Sequence, residues 1–319
     1  MQRTCHFSRL KIGLALALLA VPALDADVTL RYETRTTLSP SLPPQIAEVM
    51  MKSLSVTLPE MSVQQFRNGK LFYSQAKLNL IVDTAKREIT MIDIDGKRYA
   101  TIPADQYGSA VSGSMPEVPA QAKSMLGSMK MHAEAAPGGA TATIQGIQAE
   151  DHALVITMDG PTGQGLPGGP MVRMTMHMWL AKPSEALRVQ ALREVSGYNL
   201  MAMAALSPVA TIEKMFQQFP GMGDALAGMQ KDVMAGGGSV MLRMQLDMVV
   251  PMMAALTGQT GGDPDAPMVQ ITQELAQMSA EAIADSVFQV PEGYQAATVA
   301  EILQATTAKV PAPVNVPSK

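Results

Sequence analysis

The segment MVRMTMHMWL, at residues 171–180, combines four thioethers and one imidazole within ten positions. These side chains bind soft metal ions such as Cu(I). On an extended strand Met174, Met176 and Met178 share one face, and His177 lies on the other. Same-face neighbours are about 6.6–6.8 Å apart at the backbone, so one strand alone does not close a metal site. A metal-binding interpretation therefore needs a second strand, and its ligands would be Met174, Met176, Met178 and Met244.

Methionine is abundant along the whole chain, and this abundance argues against a dedicated metal site at residues 171–180. It supplies 27 of 319 residues, whereas Phe, Trp and Tyr together supply 13. Methionines recur wherever an apolar face is expected, as in VMLRMQLDMVV at residues 240–250. Because methionine is flexible and lines adaptable apolar surfaces, we favour an apolar core or cavity lining over a metal site. The predicted lining is Met174, Met176, Met178, Leu242, Met244, Leu246 and Met248 from strands, with Met215, Phe216 and Phe219 from a helix.

The other chemistry-bearing residues do not form a recognisable catalytic set. No H-E-x-x-H or G-x-S-x-G motif occurs, so neither a zinc hydrolase nor a serine hydrolase is indicated. His152 follows Asp151 at the start of a predicted strand and is interpreted as a surface histidine in a turn. IDIDG, at residues 92–96, lacks the ligand spacing of a calcium loop and predicts a hairpin turn instead. We therefore expect no enzymatic activity and no cofactor.

The first 26 residues are typical of a secretory signal peptide. Basic residues precede the apolar run IGLALALLAVPAL, which is too short to span a bilayer. Cleavage after Ala26 would start the mature chain near Asp27 and remove Cys5, the single cysteine. We therefore expect a periplasmic protein without a lipid anchor or a disulfide.

The charge and hydropathy of the mature chain exclude two kinds of partner. Without the first 26 residues the chain keeps 21 basic and 27 acidic residues, a net charge of −6. This balance argues against nucleic acid, which favours basic surfaces. No apolar stretch is long enough for a transmembrane segment.

Alternation of apolar and polar residues predicts a mainly β protein with antiparallel strands. The first strand is DVTLRYETR, in which Val28, Leu30 and Tyr32 share one face. The remaining predicted strands are 70–73, 78–83, 88–94, 97–102, 128–134, 140–148, 152–159, 171–180, 185–195 and 240–250. The segment 268–278 has strand character at its start and helical character at its end, and we favour a strand.

Helical patterns are fewer. A short helix places Ile46, Val49, Met50 and Leu54 on one stripe. One or two further short helices are expected between residues 103 and 126. A helical insertion is predicted at 207–235, where Ser207 can cap the helix ahead of Pro208. We expect one domain at 27–297, followed at 298–319 by a short helix and a disordered Pro-rich tail.

Several segments, taken in order, give the chain a family resemblance. These are NLIVDTAKREITMIDIDGKRYATIP, then ATIQGIQAEDHALVITM, then the strand ending in MWLA, and finally SVFQVPEGYQ. They resemble an exported bacterial family of unknown function whose fold is similar to the LolA and LolB lipoprotein carriers. The resemblance implies an α+β, mainly β fold, in which a curved antiparallel sheet forms an incomplete barrel around plugging helices. It carries over no catalytic or binding residue.

Residue patterns and resemblance together predict a non-enzymatic periplasmic protein that binds a lipid, or the acyl chain of a lipoprotein, between sheet and helices. A copper- or silver-binding envelope protein is one alternative. A structural envelope module with a protein partner is another.

Overall fold

A computed structural model of the chain describes residues 27–57, 59–75, 77–114, 130–136, 139–160, 170–188, 195, 240–251 and 266–307. Most of the described residues are in β-strands. The strands are β1 (Val28–Leu38), β2 (Met61–Arg67), β3 (Lys70–Gln75), β4 (Leu78–Asp83), β5 (Glu88–Asp93), β6 (Arg98–Pro103), β7 (Lys130–Ala136), β8 (Thr141–Ile144), β9 (Ile147–Asp159), β10 (Pro170–Ala181), β11 (Met241–Val249), β12 (Val269–Ser279) and β13 (Gln295–Ala296). The helices are α1 (Pro44–Thr57), α2 (Ala104–Ser114), α3 (Pro183–Arg188) and α4 (Val299–Thr307), with one 3-10 turn at Asp285–Phe288.

These strands form one large curved sheet that is not closed into a barrel. Its order is β13-β6-β5-β4-β3-β2-β1-β12-β11-β10-β9-β7, and β8 is a third partner of β9, in addition to β10 and β7. Every pairing is antiparallel except that of β13 with β6. The register shifts between Arg31 and Tyr32 opposite β12, and between Trp179 and Leu180 opposite β11. Because such bulges bend and twist a strand, they contribute to the curvature.

The main core lies on the face of the sheet that the alternating pattern predicts. Val28, Leu30 and Tyr32 of β1 are fully or almost fully buried, as are Ile89 and Met91 of β5. Helices α2 and α4 lie against this core, with Tyr107, Val111, Val299 and Ile302 in contact with it. The opposite face carries a smaller cluster, where Ile283 and Phe288 pack on Ile81 and Ile92.

The predicted turn at Asp95-Gly96 is confirmed as the β5–β6 hairpin. Asp93, which is buried, accepts hydrogen bonds from the backbone N–H of Gly96 and from the Arg98 guanidinium, at 3.0 and 2.8 Å. A side chain at Gly96 would overlap the Asp93 carboxylate, so a larger residue there would displace this carboxylate from its hydrogen bonds. The carboxylate is thus engaged within the hairpin, in keeping with a turn and not a calcium loop.

The structure differs from several of the sequence-based predictions and settles another. The strand predicted at 140–148 is divided by a turn at Gln145 and Gly146, which joins β8 to β9 in a hairpin. Residues 185–188 belong to helix α3, so the strand predicted at 185–195 is wrong there. Pro183 begins this helix, where its fixed φ is favourable, and the local sequence PSEALR is rich in helix formers. Strand β2 was not predicted, because MSVQQFR buries only Ser62 and Phe66 deeply and shows little apolar alternation. The segment 268–278 is a strand, as favoured.

Helix α1 is confirmed, but its apolar stripe is not wholly covered. Ile46 and Val49 are 43% and 49% exposed, whereas Met50 and Leu54 are half-buried. Within the described ranges, no helix combines the length and the apolar character needed to cross a membrane. The predicted signal peptide, the predicted helical insertion at 207–235 with Met215, Phe216 and Phe219, and the tail from residue 308 lie outside the described residues.

Candidate functional site

The strand methionines that the sequence singled out lie together on the sheet. Strands β10 and β11 pair so that Met174 faces Met248, Met176 faces Leu246, and Met178 faces Met244. Directly opposite residues of an antiparallel pair lie on the same face, with Cβ atoms about 4.5–5.5 Å apart. These six half-buried side chains are called the methionine face below.

The methionine face continues onto the two neighbouring strands. On β9, Ile156 lies opposite Met174 and Leu154 opposite Met176. On β12, Val269 lies opposite Met248 and Ile271 opposite Leu246. Two apolar rows therefore cross β9, β10, β11 and β12, a width of about 14 Å at about 4.8 Å per strand. From Met174 to Met178 the face extends about 14 Å along the strand.

Leu242 behaves differently from the rest of the predicted lining. It is completely buried and belongs to the main core together with Tyr32 and Leu275. The Tyr32 hydroxyl donates a hydrogen bond to the Met241 carbonyl at 2.9 Å, which ties β1 to β11 across the intervening β12. Burial raises the pKa of Tyr32 strongly, and the nearby Tyr73 raises it further. This part of the sheet is closed core, and the half-buried surface begins at Met244.

The opposite face of the same strands carries a polar row. Asp151, Trp179, Arg243, Glu274 and Glu33 are directly opposite one another across β9, β10, β11, β12 and β1. The Arg243 guanidinium lies 5.1 Å from the centre of the Trp179 ring, and its Nε is 2.5 Å from Glu274 Oε2. From Glu33 to Asp151, exposure of the charged side chains falls from 49% through 42% and 27% to 7%. The row therefore runs from solvent into a buried end.

His177 completes the buried end of this polar row. Its Nδ1 is 2.8 Å from Asp151 Oδ2, and its ring stacks on Trp179 with centroids 5.5 Å apart. Asp151 Oδ1 is buried and has no hydrogen-bond partner in the described part of the chain. The prediction that His177 points away from the methionines is confirmed, because its partners Asp151 and Trp179 are on the polar face.

The sequence missed this network because its partners are far apart in the chain. The alternation did place His177 and Trp179 on one face of β10. Asp151, Arg243 and Glu274, however, become their neighbours only through the strand register. At the exposed end, Glu33 and Glu274 line a small polar cavity of about 240 Å³, together with Arg35, Gln145, Thr272, Leu275 and Ala276.

His152 also differs from its prediction. It lies within β9, half-buried and directly opposite Met178, and not in a surface turn. The third described histidine, His132, is 66% exposed, with Nε2 3.4 Å from Asp159 Oδ2. The described residues contain no cluster of three or more His, Cys, Asp or Glu side chains suited to a metal ion. The described residues therefore provide no metal site built from carboxylates and imidazoles.

Comparison with known proteins found similarity among solved structures only. No protein-family model matches the chain, and no curated protein matches it significantly. Among solved structures, the crystal structure of the lipoprotein LppX of Mycobacterium tuberculosis covers 80% of this chain and 88% of its own, at 11% identity and a TM-score of 0.24. The functional interpretation depends on the geometry of the sheet itself.

Proposed function

We propose that this protein is a non-enzymatic periplasmic carrier that binds a lipid or a lipoprotein acyl chain on the methionine face. The observation that supports the proposal is an apolar band on four adjacent strands, in which the six side chains of the methionine face on β10 and β11 are half-buried. Methionine presents little shape preference to a ligand, because its side chain has three rotatable bonds and a polarisable thioether. Such a surface suits acyl chains of varied length and conformation.

The dimensions of the methionine face agree with one acyl chain. The hydrocarbon core of a bilayer is about 30 Å thick, so the chains of one leaflet extend about 15 Å. The face is about 14 Å long between Met174 and Met178, by the rise of a β-strand. An extended chain of membrane length can therefore lie along β10 and β11, in contact with all three opposing pairs.

The helices of the predicted insertion would enclose the acyl chain in this proposal. Met215, Phe216 and Phe219 were assigned to that role, and they lie outside the described residues. The degree of enclosure can be measured with ligands of different length. A fully enclosed methylene contributes about 0.8 kcal/mol, which makes the Kd about fifteenfold lower for two added carbons. A chain covered on one side only gains about half of that, or about fourfold.

The test is a titration of lipid-stripped protein with fluorescent fatty acids of 12, 14 and 16 carbons. We expect a single class of site whose Kd falls by about four- to fifteenfold per two carbons. The informative variant is Met176→Gln, which keeps the side-chain length but places an amide at the centre of the face. Because burying an amide without a partner costs about 1–3 kcal/mol, its Kd should rise by about five- to 150-fold.

Thr175→Gln is the matched control, since Thr175 is the neighbouring residue of β10 on the polar face. Its Kd should equal that of the wild-type protein. No uptake at any chain length, or equal weakening by Met176→Gln and Thr175→Gln, would show that the methionine face is not the acyl-binding surface. Urea denaturation of both variants ensures that binding is compared between folded proteins.

A further inference from the structure

The strand register brings an imidazole and two thioethers into one row. His152 of β9, Met178 of β10 and Met244 of β11 are directly opposite one another on three adjacent strands. All three are half-buried. This row forms one end of the methionine face, beyond the rows that contain Met174 and Met176. The chain separates His152 and Met244 by more than ninety residues, so the sequence alone gave no sign of the juxtaposition.

The spacing of the row lets its three donor atoms converge on one ion. The backbones of His152 and Met244 flank that of Met178 at about 4.8 Å on either side. Adjacent Cβ atoms in such a row are about 4.5–5.5 Å apart, and each methionine can swing its sulfur about three bonds. An ion above Met178 is therefore within reach of His152 from one side and Met244 from the other.

The donor types select the kind of metal. Thioether sulfur and imidazole nitrogen are ligands of Cu(I), whereas Mg²⁺ and Ca²⁺ require oxygen ligands. All three donors are neutral, so the bound ion keeps its full charge in a half-buried position. A monovalent ion has a smaller desolvation cost there than a divalent one. The row thus favours Cu(I), or its heavier analogue Ag(I), over Zn²⁺.

The other histidine of this region does not compete for the ion. His177 lies on the opposite face, with its Nδ1 2.8 Å from Asp151 Oδ2.

The methionine in the middle of the methionine face, Met176, differs from the other two of β10. It is opposite Leu246 and not opposite a second thioether. This difference provides a control on the same strand.

We propose that His152, Met178 and Met244 form a Cu(I)-binding site at one end of the methionine face. The site revises the metal ligands suggested by the sequence, which were Met174, Met176, Met178 and Met244. Of those four, the register places only Met178 and Met244 directly opposite each other. The imidazole from β9 supplies the third ligand.

The experiment is an anaerobic titration of the lipid-stripped protein with Cu(I) in competition with the chelator bathocuproine disulfonate. We expect the wild-type protein to withdraw one equivalent of Cu(I) by this site. Met178→Leu, Met244→Leu and His152→Gln should each weaken binding at least tenfold. Met176→Leu, the control, should leave the affinity unchanged. Leucine replaces methionine at similar volume, so the three leucine variants are expected to keep the fold.

A second measurement identifies the ligands without any substitution. In protein labelled with ¹³C at the methionine methyl groups, Cu(I) should shift the signals of Met178 and Met244 at one equivalent and leave that of Met176 in place. Failure of the wild-type protein to take Cu(I) from the chelator would overturn the proposal. So would equal weakening by Met176→Leu, or first-equivalent shifts confined to other methionines.

Discussion

Removing the imidazole of His177 tests whether burial governs the energetics of the polar row. In His177→Ala, Asp151 loses the hydrogen bond at 2.8 Å, and its carboxylate is only 7% exposed in the wild-type protein. Hydrogen bonds to charged groups contribute about 1.5–3 kcal/mol. Because His177 is itself 28% exposed, water can replace part of this interaction. We therefore expect the free energy of unfolding to fall by about 2 kcal/mol, in the lower half of that range.

Arg35→Ala is the matched control for this prediction, since it removes an ion pair from the exposed end of the same face. Arg35 lies 3.3 Å from Glu33, and the two side chains are 82% and 49% exposed. Such surface pairs contribute about 0–1 kcal/mol, so we expect a loss below about 0.5 kcal/mol. His177→Gln keeps an N–H donor and should recover part of the stability lost in His177→Ala.

Urea denaturation of the three variants at constant pH measures these differences through the midpoint and the m-value. At about 2–4 °C per kcal/mol for a chain of this size class, His177→Ala should lower the Tm by about 4–8 °C. Losses for His177→Ala and Arg35→Ala that agree within about 0.5 kcal/mol would refute the link between burial and stability along the row.

Two further predictions concern ionisation in the core and at a helix end. Tyr32→Phe removes the hydrogen bond to Met241 and should cost about 1 kcal/mol at neutral pH. Since burial raises the pKa of Tyr32 above its ordinary 10.0, its stabilising effect is complete below pH 10 and is lost as the pH rises further. Urea midpoints between pH 8 and pH 11 should therefore fall less steeply in Tyr32→Phe, and identical slopes would contradict this account. At the start of α4, hydrogen bonds from the Thr298 backbone N–H and hydroxyl lower the pKa of Glu301 below 4.5. Their stabilising effect is present above that value and lost as the pH falls through the lowered pKa, and Thr298→Ala should move the Glu301 titration, followed by carboxyl ¹³C NMR, back toward 4.5.

Period-two alternation predicted much of the strand content and the face that each residue occupies, because both are local properties of the chain. It placed Met174, Met176 and Met178 together and set His177 apart. It failed where local patterns are weak or shared by two structures: β2 buries only two residues deeply, and EALR fits a helical turn as well as a strand. The register between strands is not a local property, because it depends on which distant segments pair. For this reason the row that joins His152 to Met178 and Met244 could not be predicted.

The two proposals place different demands on the same side chains, and this difference allows each to be tested without the other. Acyl-chain binding needs an apolar surface, and leucine supplies it as well as methionine does. Cu(I) binding needs the sulfur atom, which leucine lacks. Met178→Leu should therefore abolish most of the Cu(I) affinity and leave the Kd of a 16-carbon fatty acid within about twofold. Met176→Gln should weaken the fatty acid about tenfold and leave Cu(I) binding intact. If either variant, still folded by urea denaturation, weakened both ligands equally, the assignment of the two ligands to different groups of β10 would be wrong.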